Sequence, residues 1–161
     1  MKRFPLEPLS RVRDLRLEAA QRRVAECRDE VARAEQRREQ ARTARGKLVE
    51  QRRNHQRERE RELSGTDALA PGRLARGERY RAWIDAEIVK CEAILASADA
   101  AVAQAEAKLA EELAALHRAQ AKVDALQTFR QEWASGVQRE RERQEEQAGE
   151  ELHRASAGST R

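Results

Sequence analysis

Apolar residues recur at alternating intervals of four and three along the C-terminal half of this chain. This spacing of 3.5 residues keeps one stripe on one side of a supercoiled helix. Because the period is sustained over about seven heptads, it predicts a helix rather than a strand. Only Glu112 and Arg130 interrupt the stripe, and the helix needs a partner to cover it. The stripe comprises Ile84, Ile88, Cys91, Leu95, Ala98, Val102, Ala105, Leu109, Glu112, Leu116, Ala119, Val123, Leu126, Arg130, Trp133 and Val137.

The N-terminal half carries a second stripe. Pro5 and Pro8 fit the first turn of a helix, so we expect the helix to start between Pro5 and Ser10. Arginines take every second position in the later part of this stripe, which thins the predicted core, although an arginine stem can lie along a seam. With a small slip after the first two members, the stripe reads Leu6, Leu9, Val12, Leu15, Leu17, Ala20, Val24, Cys27, Val31, Ala34, Arg38, Ala41, Arg45, Leu48, Arg52 and His55.

Three glycines and a proline interrupt the chain between residues 64 and 77, and these are strong helix breakers. Two long helices joined by one such break predict an all-α fold, a long two-helix antiparallel coiled-coil hairpin with a frayed C-terminal tail. Residues 1–148 then form one domain. Its expected parts are helix one over about 6–63, a turn over about 64–77 and helix two over about 78–148, followed by a flexible tail over 149–161.

A turn centred near residue 70 sets the pairing of the two helices. A residue numbered i then lies across from a residue numbered roughly 140 minus i. Cys27 and Cys91 fall at different levels, about 33 Å apart along the helix axis, so they cannot form a disulfide. We expect both thiols to act as small apolar fillers of the seam.

Composition supports this fold, because 39% of the 161 residues are charged and only 3% are aromatic. Such a mixture is typical of long helices and coiled coils. The net charge of +4 comes from 33 basic and 29 acidic residues that are interleaved, which argues against a nucleic-acid partner. Charged sequence follows Met1–Pro5 where a signal peptide would have an apolar core, and no run approaches the length of a membrane span. We therefore expect a cytoplasmic protein without membrane insertion.

The sequence contains no recognisable catalytic or metal-binding pattern. It has no phosphate-binding glycine loop, no Cys-x-x-Cys pair and no His-Glu-x-x-His spacing. His55, His117 and His153 stand on separate stretches. A coiled coil also offers no concave pocket in which two carboxylates could be desolvated. We predict a protein that is not an enzyme and uses no cofactor and no metal.

Two segments depart from the regular seam and are candidate contact sites. The first, residues 79–89, brings Tyr80, Trp83, Ile84 and Ile88 opposite an arginine-containing part of helix one, and exposed aromatic clusters mark interfaces. Alternatively, Tyr80 and Trp83 cap the hairpin by folding onto Leu69 and Leu74. The second site is the paired terminal end, where apolar residues are edged by arginine, although Phe129 and Trp133 are equally compatible with ordinary seam filling. Its candidate contacts are Arg3, Leu9, Arg11, Arg13, Arg130 and Trp133.

The chain resembles the FliJ/YscO family of type III export stalk proteins. The resemblance rests on the opening segment Leu6–Arg16, on the size of the hairpin and on the segment Tyr80–Ile84 after the turn. It implies a two-helix coiled coil similar to the central stalk subunit of rotary ATPases. It also implies that the terminal end enters the hexameric secretion ATPase, that the turn end reaches the cytoplasmic domain of the export gate, and that secretion chaperones bind.

Carried onto this chain, the family's gate-contacting aromatic residue falls on Trp83, with Tyr80 and Ile84 beside it. The next aliphatic contact of the family pattern falls on Glu87, and Ile88 follows one position later. The resemblance thus implies a cytoplasmic stalk that links the ATPase ring to the export gate, with a role in virulence-type secretion or its flagellar relative. A structural adaptor or tether that self-associates through its stripes is the alternative, and a nucleic-acid-binding rod ranks below both.

Overall fold

In a computed structural model of the chain, residues 3–65 and 71–158 are described, with side chains described as far as Glu151. These ranges contain two helices, α1 (Glu7–Leu63) and α2 (Pro71–Gly158), and no strand. The predicted all-α, two-helix fold is confirmed.

The chain divides into two compact units. One comprises Met1–Val24 and Glu112–Arg161, and the other comprises Ala25–Glu111. In the second unit the helices are antiparallel, because ion pairs between α1 and α2 join Glu30 to Lys108, Arg45 to Glu92 and Arg52 to Asp85. The residue numbers of each pair add up to 138 or 137, close to the predicted sum of roughly 140.

The first unit has the same antiparallel arrangement. Glu7, in the first turn of α1, lies 3.5 Å from Arg130 of α2, and Arg23 lies 3.8 Å from Glu112. Arg13 Nη1 donates a hydrogen bond of 2.6 Å to the backbone oxygen of Lys122. The α1 segment therefore runs against α2 in the opposite direction within this unit.

The stripe predicted on α2 is buried or half-buried at every position except Arg130. Five of its apolar side chains are at most 7% exposed, and Ile84 is fully buried. The even spacing works because each step of three or four residues returns the side chain to the face that meets α1. The five are Ile84, Ile88, Val102, Val123 and Leu126.

The predicted start of the α1 stripe is wrong. Leu9, Val12 and Leu15 are 39%, 43% and 64% exposed, so they do not lie in the seam. The seam instead keeps its 3.5-residue period up to the N-terminus, without a slip, and its half-buried positions there are Leu6, Ser10, Arg13 and Leu17. Pairing with α2 holds this register even though the seam then contains a serine and an arginine, because Ala20, Val24 and Cys27 are almost fully buried further along the same face.

The bounds of α1 agree with the prediction, but those of α2 do not. It begins at Pro71 rather than near residue 78, because proline suits the first helical position and isolated glycines lower helix propensity without ending a helix. It also continues to Gly158 rather than ending near residue 148. Of the predicted turn, residues 66–70 lie outside the described residues, as do residues 159–161 of the predicted tail. The flexibility of that tail stays a prediction.

Hydrogen bonds account for the described ends of α1. The Glu7 N–H donates to the Phe4 oxygen at 3.3 Å, which leads the chain into the first turn. At the other end the Ser64 hydroxyl donates to the oxygens of Glu60 and Arg61, at 2.6 and 3.2 Å. The Ser64 side chain thus satisfies two of the last carbonyls of α1, which ends at Leu63.

Both cysteines are free thiols, as expected. Cys27 is buried and Cys91 is half-buried. Each lies in the seam between the helices, which matches the prediction that the thiol acts as an apolar filler.

Candidate functional site

The residues predicted to bind the gate split into an exposed pair and a buried pair. Tyr80 and Trp83 stack with ring centroids 5.8 Å apart, and their side chains are 42% and 52% exposed. His55 of α1 meets the edge of Tyr80 at 4.9 Å. The three rings form a row, and we call His55, Tyr80 and Trp83 the aromatic row.

Ile84 and Ile88 lie in the seam, with exposures of 0% and 7%. A partner therefore cannot reach either side chain while the helices are paired. Their physical role is to anchor this part of α2 against α1, which fixes the aromatic row on the surface. Of the two leucines onto which the aromatic pair was alternatively expected to fold, Leu74 is half-buried and Leu69 lies outside the described residues.

A second aromatic cluster lies in the unit that holds the first and last parts of the chain. Phe4 is 8% exposed and contacts Phe129 and Trp133, with centroids 5.9 and 5.6 Å away. The guanidinium of Arg130 lies 5.9 Å from the Phe4 ring and also pairs with Glu7. Aromatic contacts and the cation–π contact thus close the N-terminal segment onto α2.

The six residues predicted to bind the ATPase ring line two separate grooves of this unit. Arg3, Arg11, Arg130 and Trp133 line the larger one, of about 1370 Å³, together with Phe4; we call it the aromatic groove. Arg3 and Arg11 are exposed and have no ion pair among the described residues.

Leu9 and Arg13 line a smaller groove of about 270 Å³ on the same unit. We call it the basic groove, and it is lined by Leu9, Arg13, Arg16, Ala115, Arg118, Ala119 and Lys122. No carboxylate is among these residues. The arginine-edged terminal site predicted from the sequence is therefore two sites with different linings.

Sequence reasoning missed Phe4, the residue on which the aromatic cluster is centred. It lies outside both periodic stripes, so heptad spacing gave no signal for it. An aromatic residue just before a proline-marked helix start is the signal that could have found it, because a residue preceding a helix often packs back onto a neighbouring apolar surface.

Within the described residues, no group of three His, Cys, Asp or Glu side chains could hold a metal ion. No described helix is long and apolar enough to cross a membrane.

A model of the YscO-like protein family matches residues 1–156 of the chain. The chain belongs to the YscO-like family. No curated protein sequence matches this YscO-like protein. Its fold is similar to the solved structure of CT670 from Chlamydia trachomatis, a candidate YscO homologue, with a TM-score of 0.84 and 19% sequence identity over 96% of this chain and 94% of that chain.

Family membership confirms the resemblance to FliJ/YscO proteins. It makes this YscO-like chain a type III secretion-associated protein from a family of structural secretion components. The likeness to the chlamydial structure, at 19% identity, supports the coiled-coil fold alone.

Proposed function

We propose that this YscO-like protein is the central stalk of a bacterial type III secretion export apparatus, located at its cytoplasmic side. It binds a hexameric secretion ATPase and links that ring to the cytoplasmic domain of the export gate, without catalysis of its own. The observation that carries this proposal is the aromatic groove, where Arg3 and Arg11, which have no ion pair among the described residues, line the same surface as Phe4 and Trp133.

The aromatic groove has the chemistry of an interface. Arg3 and Arg11 form no ion pair among the described residues, and Glu7, the carboxylate that also lines the groove, pairs with Arg130 instead. A guanidinium binds carboxylates through two parallel hydrogen bonds. Trp133 is half-buried and supplies an apolar anchor beside them. An ATPase ring whose inner surface carries carboxylates and apolar residues would complement this groove.

A single chain inside a ring of six identical subunits contacts those subunits unequally. Unequal contacts stabilise different conformations in different subunits, because a ligand shifts a conformational equilibrium by its difference in affinity for the states. The stalk would thereby raise the rate of ATP hydrolysis. The rate of ATP hydrolysis is therefore the most direct measurement of the ring contact.

The aromatic row supports the second half of the proposal. Tyr80 and Trp83 present stacked rings to solvent in the unit Ala25–Glu111. Exposed aromatic pairs of this kind are typical anchors of protein interfaces, since their rings bury a large area at a small cost in side-chain entropy. We assign the gate contact to these two rings and a supporting role to Ile84 and Ile88.

The ring contact is tested by ATP hydrolysis of the purified secretion ATPase from the same bacterium. Addition of this chain should raise hydrolysis, and the double charge reversal Arg3→Glu with Arg11→Glu should reduce the stimulation at least fivefold. The matched control is Arg53→Glu with Arg57→Glu, which makes the same charge change on exposed residues of the other unit. Equal stimulation by the wild-type chain and the Arg3/Arg11 variant would reject the ring contact.

The gate contact is tested by calorimetry with the purified cytoplasmic domain of the gate. Tyr80→Ala with Trp83→Ala should weaken binding at least tenfold while the helical melting temperature stays within a few degrees. Val89→Ala is the control, because Val89 is 64% exposed in the same unit. Retained binding in the double variant would exclude the aromatic row.

Self-association as a structural tether is the second candidate. It is favoured by Val89 and Ile94, which are 64% and 59% exposed on α2. Sedimentation equilibrium separates the two proposals, since a stalk is a monomer at micromolar concentration and a tether is a dimer or larger.

We also propose that the chain binds secretion chaperones. Co-sedimentation of the purified chain with a chaperone measures this binding.

A further inference from the structure

The basic groove holds four cationic side chains and no carboxylate. Arg13 and Arg16 lie three residues apart on α1, and Arg118 and Lys122 lie four residues apart on α2. Arg13 Nη1 donates to the Lys122 backbone oxygen, so the two helices bring both pairs of charges to one groove. The four charges are close neighbours in the folded state.

No described residue neutralises these charges. None of the four side chains has an ion pair with a described carboxylate, although the chain is rich in acidic residues. The positions three and four residues away from each of them on its own helix also lack aspartate and glutamate. Elsewhere the chain does supply such partners, as in the pairs Glu18–Arg22 and Glu87–Lys90.

This arrangement opposes folding, because like charges three or four residues apart destabilise a helix and two such pairs face each other here. A bound anion would offset this repulsion. The repulsion within the free protein then becomes attraction in the complex.

The apolar residues that line the groove indicate which kind of anion would bind. Leu9 is 39% exposed there, and Ala115 and Ala119 are half-buried beside it. An inorganic phosphate would leave this apolar floor uncovered, whereas a protein segment that combines carboxylates with an aliphatic side chain would cover it. Nucleic acid is disfavoured, because no aromatic ring lines the groove and its α2 side spans only about 10 Å, too short for the many phosphate contacts that tight binding needs.

We propose that the basic groove is a docking site for an acidic segment of a partner protein, anchored by one aliphatic residue over Leu9. The carboxylates of the segment pair with Arg16, Arg118 and Lys122. We assign Leu9 and Arg13, which the sequence predicted as ring contacts, to this segment instead. The basic groove shares no lining residue with the aromatic groove, to which the ring contact is assigned.

The test uses a fluorescein-labelled peptide of fifteen residues composed of glutamate, alanine and leucine, with binding to the full chain followed by fluorescence anisotropy. Arg118→Glu with Lys122→Glu should weaken binding at least tenfold. Arg53→Glu with Arg57→Glu, which changes the net charge equally, should change it less than twofold. Leu9→Ser should weaken it about threefold, and raising the salt from 50 to 300 mM should weaken it in the wild-type chain.

Two further measurements keep the result unambiguous. Circular dichroism should show that the Arg118/Lys122 variant melts at or above the wild-type temperature, since it relieves repulsion; if it does not fold, Arg118→Gln with Lys122→Gln replaces it. The variant Arg3→Glu with Arg11→Glu should bind the peptide as tightly as the wild-type chain does. This result would distinguish the basic groove from the ATPase contact at the aromatic groove.

If peptide binding were weakened equally in the Arg53/Arg57 control, binding would depend only on the net charge of the chain, and the proposal would be rejected. Stronger competition by a single-stranded oligonucleotide of equal charge than by unlabelled peptide would also reject it, in favour of nucleic-acid binding.

Discussion

Arg45 of α1 donates two hydrogen bonds, from Nε and Nη2, to one carboxylate oxygen of Glu92 on α2, at 3.0 and 2.8 Å. Arg45 occupies a seam position at which the sequence pattern predicts a thinner core. In this part of the seam, an interhelical ion pair takes the place of an apolar contact. The arginine stem is half-buried, and its guanidinium leaves the seam to meet a carboxylate of the other helix.

This pair should contribute little to stability. Its side chains are 42% and 48% exposed, and exposed ion pairs contribute about 0.2 to 1 kcal/mol. A double-mutant cycle of Arg45→Ala and Glu92→Ala, measured by urea unfolding, should give a coupling in that range that falls at 1 M salt. A coupling well above this range would show that solvent screens the pair less than its exposure indicates.

We expect Glu112 to lower the free energy of unfolding. Its Oε2 is buried without a hydrogen bond, and the nearest cation, Arg23 Nε, is 3.8 Å away. Glu112→Leu should therefore raise the free energy of unfolding by about 1 kcal/mol, because a desolvated carboxylate gives way to an apolar seam residue. Glu111→Leu, at the exposed neighbouring position, is the control and should change it by less than about 0.5 kcal/mol. A less stable Glu112 variant would show that the carboxylate supports the seam.

Phe4 should hold the N-terminal segment on α2. Phe4→Ala removes its contacts with Phe129 and Trp133, and we expect local unfolding that costs about 1 to 3 kcal/mol, less than for a fully enclosed phenylalanine. In a Trp83→Phe background, the emission of Trp133 should shift to the red, and the Glu7 amide should exchange faster. Leu15→Ala, at a 64% exposed position, should leave both signals unchanged.

The pair Glu30–Lys108 should make stability depend on acid pH. The hydrogen bond and the charge of Lys108 lower the pKa of the Glu30 carboxyl. A lowered pKa in the folded state adds stability that is present above the pKa of a free glutamate, about 4.3, and is lost as the pH falls through the lower folded value. The melting temperature should therefore exceed that of Glu30→Gln at pH 7 and converge with it at lower pH. A constant difference across this range would contradict the assignment.

We expect Gly46 to reduce the stability of α1. A Cβ added at this position meets nothing within 4 Å, and glycine inside a helix costs about 0.5 to 1 kcal/mol relative to alanine. Gly46→Ala should raise the free energy of unfolding by that amount in urea titrations. Gly136→Ala is the matched change in α2, since its added Cβ is equally free, and destabilisation by both would indicate a role of these glycines in bending the helices.

The stripe of α2 could be predicted residue by residue because it is a local pattern with few interruptions. The start of the α1 stripe could not, since leucine and valine at Leu9, Val12 and Leu15 offered a more apolar alternative to the true seam. The buried Val24 and Cys27 further along α1 hold the register, and this is a property of the paired helices.

The candidate sites divide in the same way. The aromatic pair of Tyr80 and Trp83 was visible in the sequence as large residues beyond what the seam needs, and the structure leaves both exposed. The burial of Ile84 and Ile88 follows from their place in the heptad, which had already put them in the stripe. The role of Phe4 depends on α2 residues more than a hundred positions away, which no local pattern reports.

The sequence by itself determined that this protein consists of two long helices that pack against each other, because heptad spacing and helix breakers act over a few residues at a time. Its resemblance to the FliJ/YscO family was also visible in the sequence. Tertiary structure alone decided which side chains leave the seam and which charges meet in the basic groove. Those outcomes depend on the pairing of distant segments, and each pairing is a compromise among all the seam contacts of its unit.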